Sequence, residues 1–311
     1  MAETQTMPAA RPVSTRRNTT FFSRNKLVIM PLVFIAPALA MFSLFVIWPI
    51  LQSISLSFTE WQGIGPKKWV GLSNYRYLFS DPVFWTSLVN NIYWLVLFLL
   101  APVFGLLVAL FLNQTVFGIR LVKSLFFFPF VVSQIVVGLV FAWFYDPAFG
   151  LLATILEPFG IEFPPILADE DWATFGIIVA GLWPQTAYCM ILYLTGLNSV
   201  NPEMIEAARL DGAKGWRLLV KIVLPQLRAA TFIALVVTVI GALRSFDLVA
   251  VMTEGGPYNS SNVLAYYMYD NAIFRYRMGY ASAIATVLFM IMNVYIIWFL
   301  LRLWKNEKGA R

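Results

Sequence analysis

Long apolar stretches alternate with short polar ones along this chain. Six apolar runs stand out, near 27–51, 87–113, 121–144, 173–197, 229–251 and 280–303. A helix rises about 1.5 Å per residue, so about 20 apolar residues cross the roughly 30 Å of bilayer hydrocarbon. The pattern therefore predicts an all-α integral membrane protein of six transmembrane helices. One domain over 27–305 holds all six spans, and tails cover 1–26 and 306–311. Gly, Pro, Phe and Trp inside the runs suit helices packed against each other in lipid. No repeat of 20–50 residues is visible.

Composition agrees with that class. The chain is 60% hydrophobic and 12% charged, with mean hydropathy +0.74. A soluble domain carries about twice that share of charge. Residues 1–26, rich in Thr, Arg, Ala and Pro, are expected to be a largely disordered basic tail. Ala38-Leu39-Ala40 resembles the end of a cleavable signal. The apolar run continues past it through Phe42, Leu44, Phe45, Val46, Ile47 and Trp48, so a retained first span is expected.

The net charge of +6 follows a sided distribution rather than a nucleic-acid partner. With the N-terminus in the cytoplasm, 16 of the 22 basic residues fall inside: five before the first span, Arg120 and Lys123, five in 198–228, and four from Arg302 onward. The 145–172 connection carries six carboxylates and no Lys or Arg. That asymmetry obeys the positive-inside rule with both termini cytoplasmic. Lys67, Lys68, Arg76, Arg275 and Arg277 are the exceptions outside.

Catalytic chemistry is sparse. There is no His, and Cys189 is the single cysteine, so an internal disulfide is excluded and a His- or Cys-based metal site is not expected. No phosphate-binding G-x-x-x-x-G-K-[ST] loop occurs, and no carboxylate pair or activated nucleophile suggests an intramembrane enzyme. The chain reads as a non-catalytic subunit without a cofactor of its own.

One polar island is patterned. In the 198–228 loop, Asn201-Pro202-Glu203 combines an N-cap residue, a proline suited to the first helical turn and a carboxylate at the positive dipole end. A helix of about 14 Å should run from Pro202 to Leu210. It should end at Asp211-Gly212, where glycine accepts the left-handed conformation. Ala207 and Ala208 would give it a slim surface. A second helix over 214–224 should place Lys214, Arg217 and Lys221 on one face, with Trp216, Leu219, Val220 and Val223 on its apolar side. A juxtamembrane loop resting on anionic headgroups would share these features.

Spacing separates the two readings. Glu206-Ala207-Ala208, then Gly212, then Ile222-x-Leu224-Pro225 resembles the EAA loop of ABC importer permeases. Val70-Gly71-Leu72-Ser73-Asn74-Tyr75, Asp81-Pro82-Val83-Phe84, Arg244–Tyr258 and Met278-Gly279-Tyr280 resemble carbohydrate-uptake permeases of the maltose and glycerol-phosphate type. The likeness covers about 27–305; Glu254, before Gly255-Gly256-Pro257, is one departure from it. It implies a subunit of the bacterial cytoplasmic membrane that pairs with a second permease above two ATPase subunits, which carry ATP and Mg. An extracytoplasmic binding protein would deliver the solute. By the same resemblance, Glu203, Glu206, Ala207, Ala208, Gly212, Leu224 and Pro225 form the ATPase-coupling element.

The solute path is less marked. Charges within spans are costly and serve function by default. Arg244 and Asp247, at i and i+3, would share a helix face and either neutralise each other or line a polar wall. Gln134, Trp183, Gln185, Tyr188 and Phe246 are further candidates, since amides bond hydroxyls and aromatic faces cover sugar rings. Each would equally serve as an interhelical contact. An ion-coupled secondary transporter is the alternative, although only Asp247 offers a coupling carboxylate. Within the ATP-driven class, an anionic glycerol or sugar derivative is the alternative solute.

Overall fold

A computed structural model describes residues 26–114 and 116–309, with side chains over 30–298 (except residue 115) and at Leu301. The expected disordered tail lies outside the described residues apart from Lys26. The chain divides into two compact units, Met1–Gln52 and Ser53–Arg311. α1 (Lys26–Phe42) passes through a π-helical turn at Ser43–Ile47 into α2 (Trp48–Leu56), whose last four residues belong to the second unit. Met30–Leu56 is one uninterrupted apolar helix of 27 residues.

The second unit continues with a short antiparallel hairpin, β1 (Thr59–Glu60) with β2 (Lys68–Trp69), in which Thr59 faces Trp69. After α3 (Ser73–Ser80), α4 (Pro82–Phe98) and α5 (Leu100–Leu112) form one span of 31 residues. Asp81 starts it: one carboxylate oxygen accepts from the Val83 N–H at 2.9 Å. The other accepts from the Tyr267 and Tyr280 hydroxyls. Burial first, and then Asp81, push the Tyr267 phenol above its ordinary value, which keeps it a donor.

Two expected continuous spans are broken. α6 (Ile119–Val131) and α7 (Gln134–Phe144) meet at 99°. Val132 between them is extended, and the Ser133 hydroxyl accepts from the Val136 N–H at 3.4 Å to begin α7. The expected fifth span also ends early. α8 (Leu151–Leu156), α9 (Ala173–Asn198), α10 (Pro202–Leu210), α11 (Gly215–Leu218) and α12 (Leu224–Gln226) precede α13 (Arg228–Leu243). Arg244 caps α13, Phe246 leaves the helical region at φ −139° and ψ −56°, and α14 (Asp247–Met252) begins anew. Arg244 and Asp247 therefore do not share a helix face. No Pro or Gly lies at 244–246, so nothing local announced this break.

Among the described residues, four helices are long and apolar enough to cross a membrane, or up to six if each bent pair counts as one span. The second bent pair is Gly215–Gln226 with Arg228–Leu243, at 74°. α15 (Leu264–Tyr269) and α16 (Met278–Gly309) complete the chain. The last helix runs beyond the expected span end at 303.

α9 is the axis of this unit. Its Ile177 and Ile178 pack with Trp94, Phe98, Leu248 and Val249 in one buried cluster. Farther along, Cys189, Met190, Tyr193 and Leu197 pack with Leu112, Val223 and Leu227 in a second. The close crossing with α5 depends on Gly105, where an added Cβ would lie 2.5 Å from the Cys189 Cβ and 2.8 Å from the Met190 nitrogen. Small residues of this kind let membrane helices approach closely where apolar burial gives no preference over lipid.

Candidate functional site

Two sites emerge along α9. The first is a cavity of about 360 Å³. Trp94 and Phe98 come from α4, Gly181 and Gln185 from α9, and Val237, Ile240 and Gly241 from α13. The two helix breaks supply the rest: Gln134 from one, and Arg244, Ser245, Phe246 and Asp247 from the other. Irregular backbone at membrane depth persists only where protein or a water-filled cavity satisfies it. Discontinuous helices that converge on one polar cavity are a recurring architecture for solute sites in transporters.

Trp94 and Gln185 each lie 12 residues into their helices, about 18 Å from the first residue. Gln185 is oriented by its Nε2, which donates to the Thr238 hydroxyl at 2.9 Å. Its Oε1 lies 3.7 Å from where a Gly241 Cβ would stand, so the glycine keeps that oxygen uncovered. At Gly181 a Cβ would come within 2.9 Å of the Phe98 ring, so only glycine lets that ring lie against α9. Phe246 meets the Tyr269 ring edge-on at 5.2 Å. Among the described residues the ion pairs are Lys68–Glu60 and Arg275–Asp270, so Arg244 and Asp247 form no ion pair with each other.

Five of the seven path candidates thus come together: Gln134, Gln185, Arg244, Phe246 and Asp247. Trp183 and Tyr188 do not. Trp183 faces a separate apolar crease with Phe104, Pro129, Phe141 and Met190, and Tyr188 stacks on Phe130 at 5.0 Å. On α9, position 183 points to the side opposite 181 and 185, whereas 188 lies on their side but farther along the helix, and the bend between α6 and α7 gives both aromatic neighbours. Trp94 and Phe98 escaped the sequence reading because an aromatic inside an apolar run carries no signal of its own.

The second site is α10. The Asn201 side chain accepts from the Glu203 N–H at 2.8 Å, and Pro202 occupies the first turn, as the sequence indicates. At the other end Gly212 takes φ +82°. The Ala213 N–H donates to the Ala208 carbonyl at 2.8 Å and the Gly212 N–H to the Arg209 carbonyl at 3.1 Å. This is a complete Schellman cap. α10 is also tied back to the loop: the Gln226 Oε1 accepts from the Asn201 N–H at 3.0 Å, a role the sequence did not reveal.

The two alanines separate. Ala208 is buried and Ile205 packs into the second cluster, whereas Ala207 and Glu206 are exposed. The slim outer surface is therefore Ala207's alone. Leu210, 90% exposed, projects beside it. The expected second helix is also corrected. Lys214 precedes α11 in an extended conformation, a π-helical turn occupies Leu219–Val223, and Trp216 is exposed while Val223 is buried. The wider turn rotates the later residues relative to Trp216, so its side chain leaves the apolar face. Leu224 is half-buried and Pro225 exposed, just before the turn into α13. Among the described residues no group of three His, Cys, Asp or Glu side chains is placed to hold a metal ion.

Comparison with known proteins follows the same lines. The family model for the binding-protein-dependent transport system inner membrane component matches residues 19–305. The α-glucoside transport system permease AglF of Rhizobium meliloti is 33% identical, over 87% of this chain and 81% of that protein. The sn-glycerol-3-phosphate transport system permease UgpA of Brucella abortus is 31% identical, over 85% of this chain and 91% of that protein. The fold resembles a chain of the bacterial alginate ABC transporter solved with an alginate pentasaccharide-bound periplasmic protein. There the TM-score is 0.78 at 21% identity, over 90% of this chain and 95% of that one. These relatives give the ion-coupled alternative no support. The match across both sites shows that the chain belongs to the family of binding-protein-dependent transport system inner membrane components, as the non-catalytic permease subunit of an ABC importer.

Proposed function

We propose that this permease carries a carbohydrate or sugar-like solute through the cavity between the two helix breaks, driven from α10. The observation that carries the reading is convergence. Five polar or aromatic residues distant in sequence line one cavity, while the same axial helix leads into a rigidly capped helix with an exposed carboxylate.

In this reading the chain crosses a bacterial cytoplasmic membrane six times, each bent pair forming one span, with both termini and the 198–228 loop in the cytoplasm. It pairs with a second homologous permease and sits above two ATPase subunits that hold ATP and Mg. Neither a cofactor nor a nucleic acid is needed on this chain. An extracytoplasmic binding protein delivers the solute to the opposite end. α10 enters a cleft on one ATPase subunit, with Glu206, Ala207 and Leu210 facing it. Glu203 and Asn201 hold its start, Gly212 its end, and Ala208, Leu224 and Pro225 its seating. Closure of the ATPases then tilts α10, and the rigid caps pass the motion to α9 and α13, whose residues line the cavity.

The test is Glu206→Lys in the assembled transporter. Reversal of one exposed charge leaves the buried side of α10 unchanged, so assembly should persist while uptake per ATP hydrolysed falls about tenfold, the scale of a charged interface contact. Unchanged coupling would remove α10 from the energy path.

A further inference from the structure

The charges of the cavity carry a conclusion about what it accepts, and this conclusion rests on reading the cavity as the solute's passage. Arg244 and Asp247 both line it, and the break at 244–246 leaves them without a mutual ion pair. Each therefore keeps its full hydrogen-bonding capacity, donors on one side and acceptors on the other. Their formal charges cancel.

The neutral groups continue this balance. Trp94, 2% exposed, backs this wall with its ring. Gln185 has committed its Nε2 to Thr238 and leaves its Oε1 as an acceptor. Phe98 and Phe246 add apolar ring surface.

We propose that the cavity selects an uncharged, polyhydroxylated solute and disfavours anions of similar shape. A hydroxyl both donates and accepts, so a ring bearing several can accept from Arg244 while donating to Asp247 and Gln185. Its C–H faces suit the phenyl rings. A phosphate, sulfonate or carboxylate would pair with Arg244. It would also bring like charge toward Asp247 and offer that carboxylate no donor.

The experiment uses the assembled transporter in lipid nanodiscs without its extracytoplasmic binding protein, so that only the membrane site is read. Saturation-transfer NMR is recorded with maltose as the uncharged probe and with glucuronate and glycerol 3-phosphate as the anionic ones. Maltose should bind about tenfold better than either anion, and Asp247→Asn should close that gap, as expected when a like charge is removed. Anions binding as well as maltose, no contact with maltose, or an anion-to-maltose ratio unmoved by Asp247→Asn would each overturn the selection. Gly241→Trp, which plugs the cavity, isolates the underlying reading. If maltose binds that variant undiminished, the probe sits elsewhere and the passage itself is misplaced.

Discussion

Gly212 offers a graded test of how α10 transmits force. Its φ of +82° belongs to the left-handed region, and the two cap hydrogen bonds depend on that conformation. An added Cβ would meet nothing within 4 Å, so substitution there acts through the backbone torsion and not through a clash. Alanine in this region costs about 1 kcal/mol, asparagine less, and a β-branched valine more. Proline locks φ near −65° and deletes the N–H that donates to Arg209, a change of about 3 kcal/mol or more. At about 1.4 kcal/mol per factor of ten, alanine shifts the capped end roughly fivefold and proline more than a hundredfold. The assay is the ratio of solute moved to ATP hydrolysed in proteoliposomes holding the complete transporter. We expect coupling to fall in the order Gly, Asn, Ala, Val, Pro, at constant assembly. Valine coupling as well as asparagine would refute the argument, because the two differ chiefly in their tolerance of positive φ.

Two further outcomes follow from packing. Gly105→Ala places a methyl group 2.5 Å from the Cys189 Cβ and against the backbone of residues 189 and 190. It should lower the stability of the purified complex by about 1–3 kcal/mol, visible as a reduced thermal midpoint; an unchanged midpoint would contradict the close crossing of α5 and α9. Thr238→Val removes the acceptor that orients Gln185. Solute affinity should fall about threefold to tenfold, with Thr238→Ser restoring it, and equal affinity in Val and Ser variants would show that this bond does not position the amide.

The accuracy of the sequence reading varies with how local each signal is. The ends of α10 were legible because Asn201, Pro202 and Gly212 act on neighbours within a few residues. The bend at Val132–Ser133 was hidden inside an apolar run, since hydropathy averages over a window and ignores backbone direction. Ala207 and Ala208 looked equivalent as letters. Only the packing of α10 against the π-helical turn at Leu219–Val223 assigns one to the interior and leaves the other outside.

The sequence by itself determined the family, the membrane character and the capped helix, because span length, charge and caps are properties of short contiguous segments. Tertiary structure alone decided that Arg244 and Asp247 part company, that Trp94 and Phe98 join them in one wall, and that Trp183 and Tyr188 do not. Those outcomes depend on where α13 breaks and on which face α9 turns toward its neighbours. Both are settled by side-chain contacts between segments up to about 150 residues apart, the separation from Trp94 to Asp247, and no local pattern encodes them.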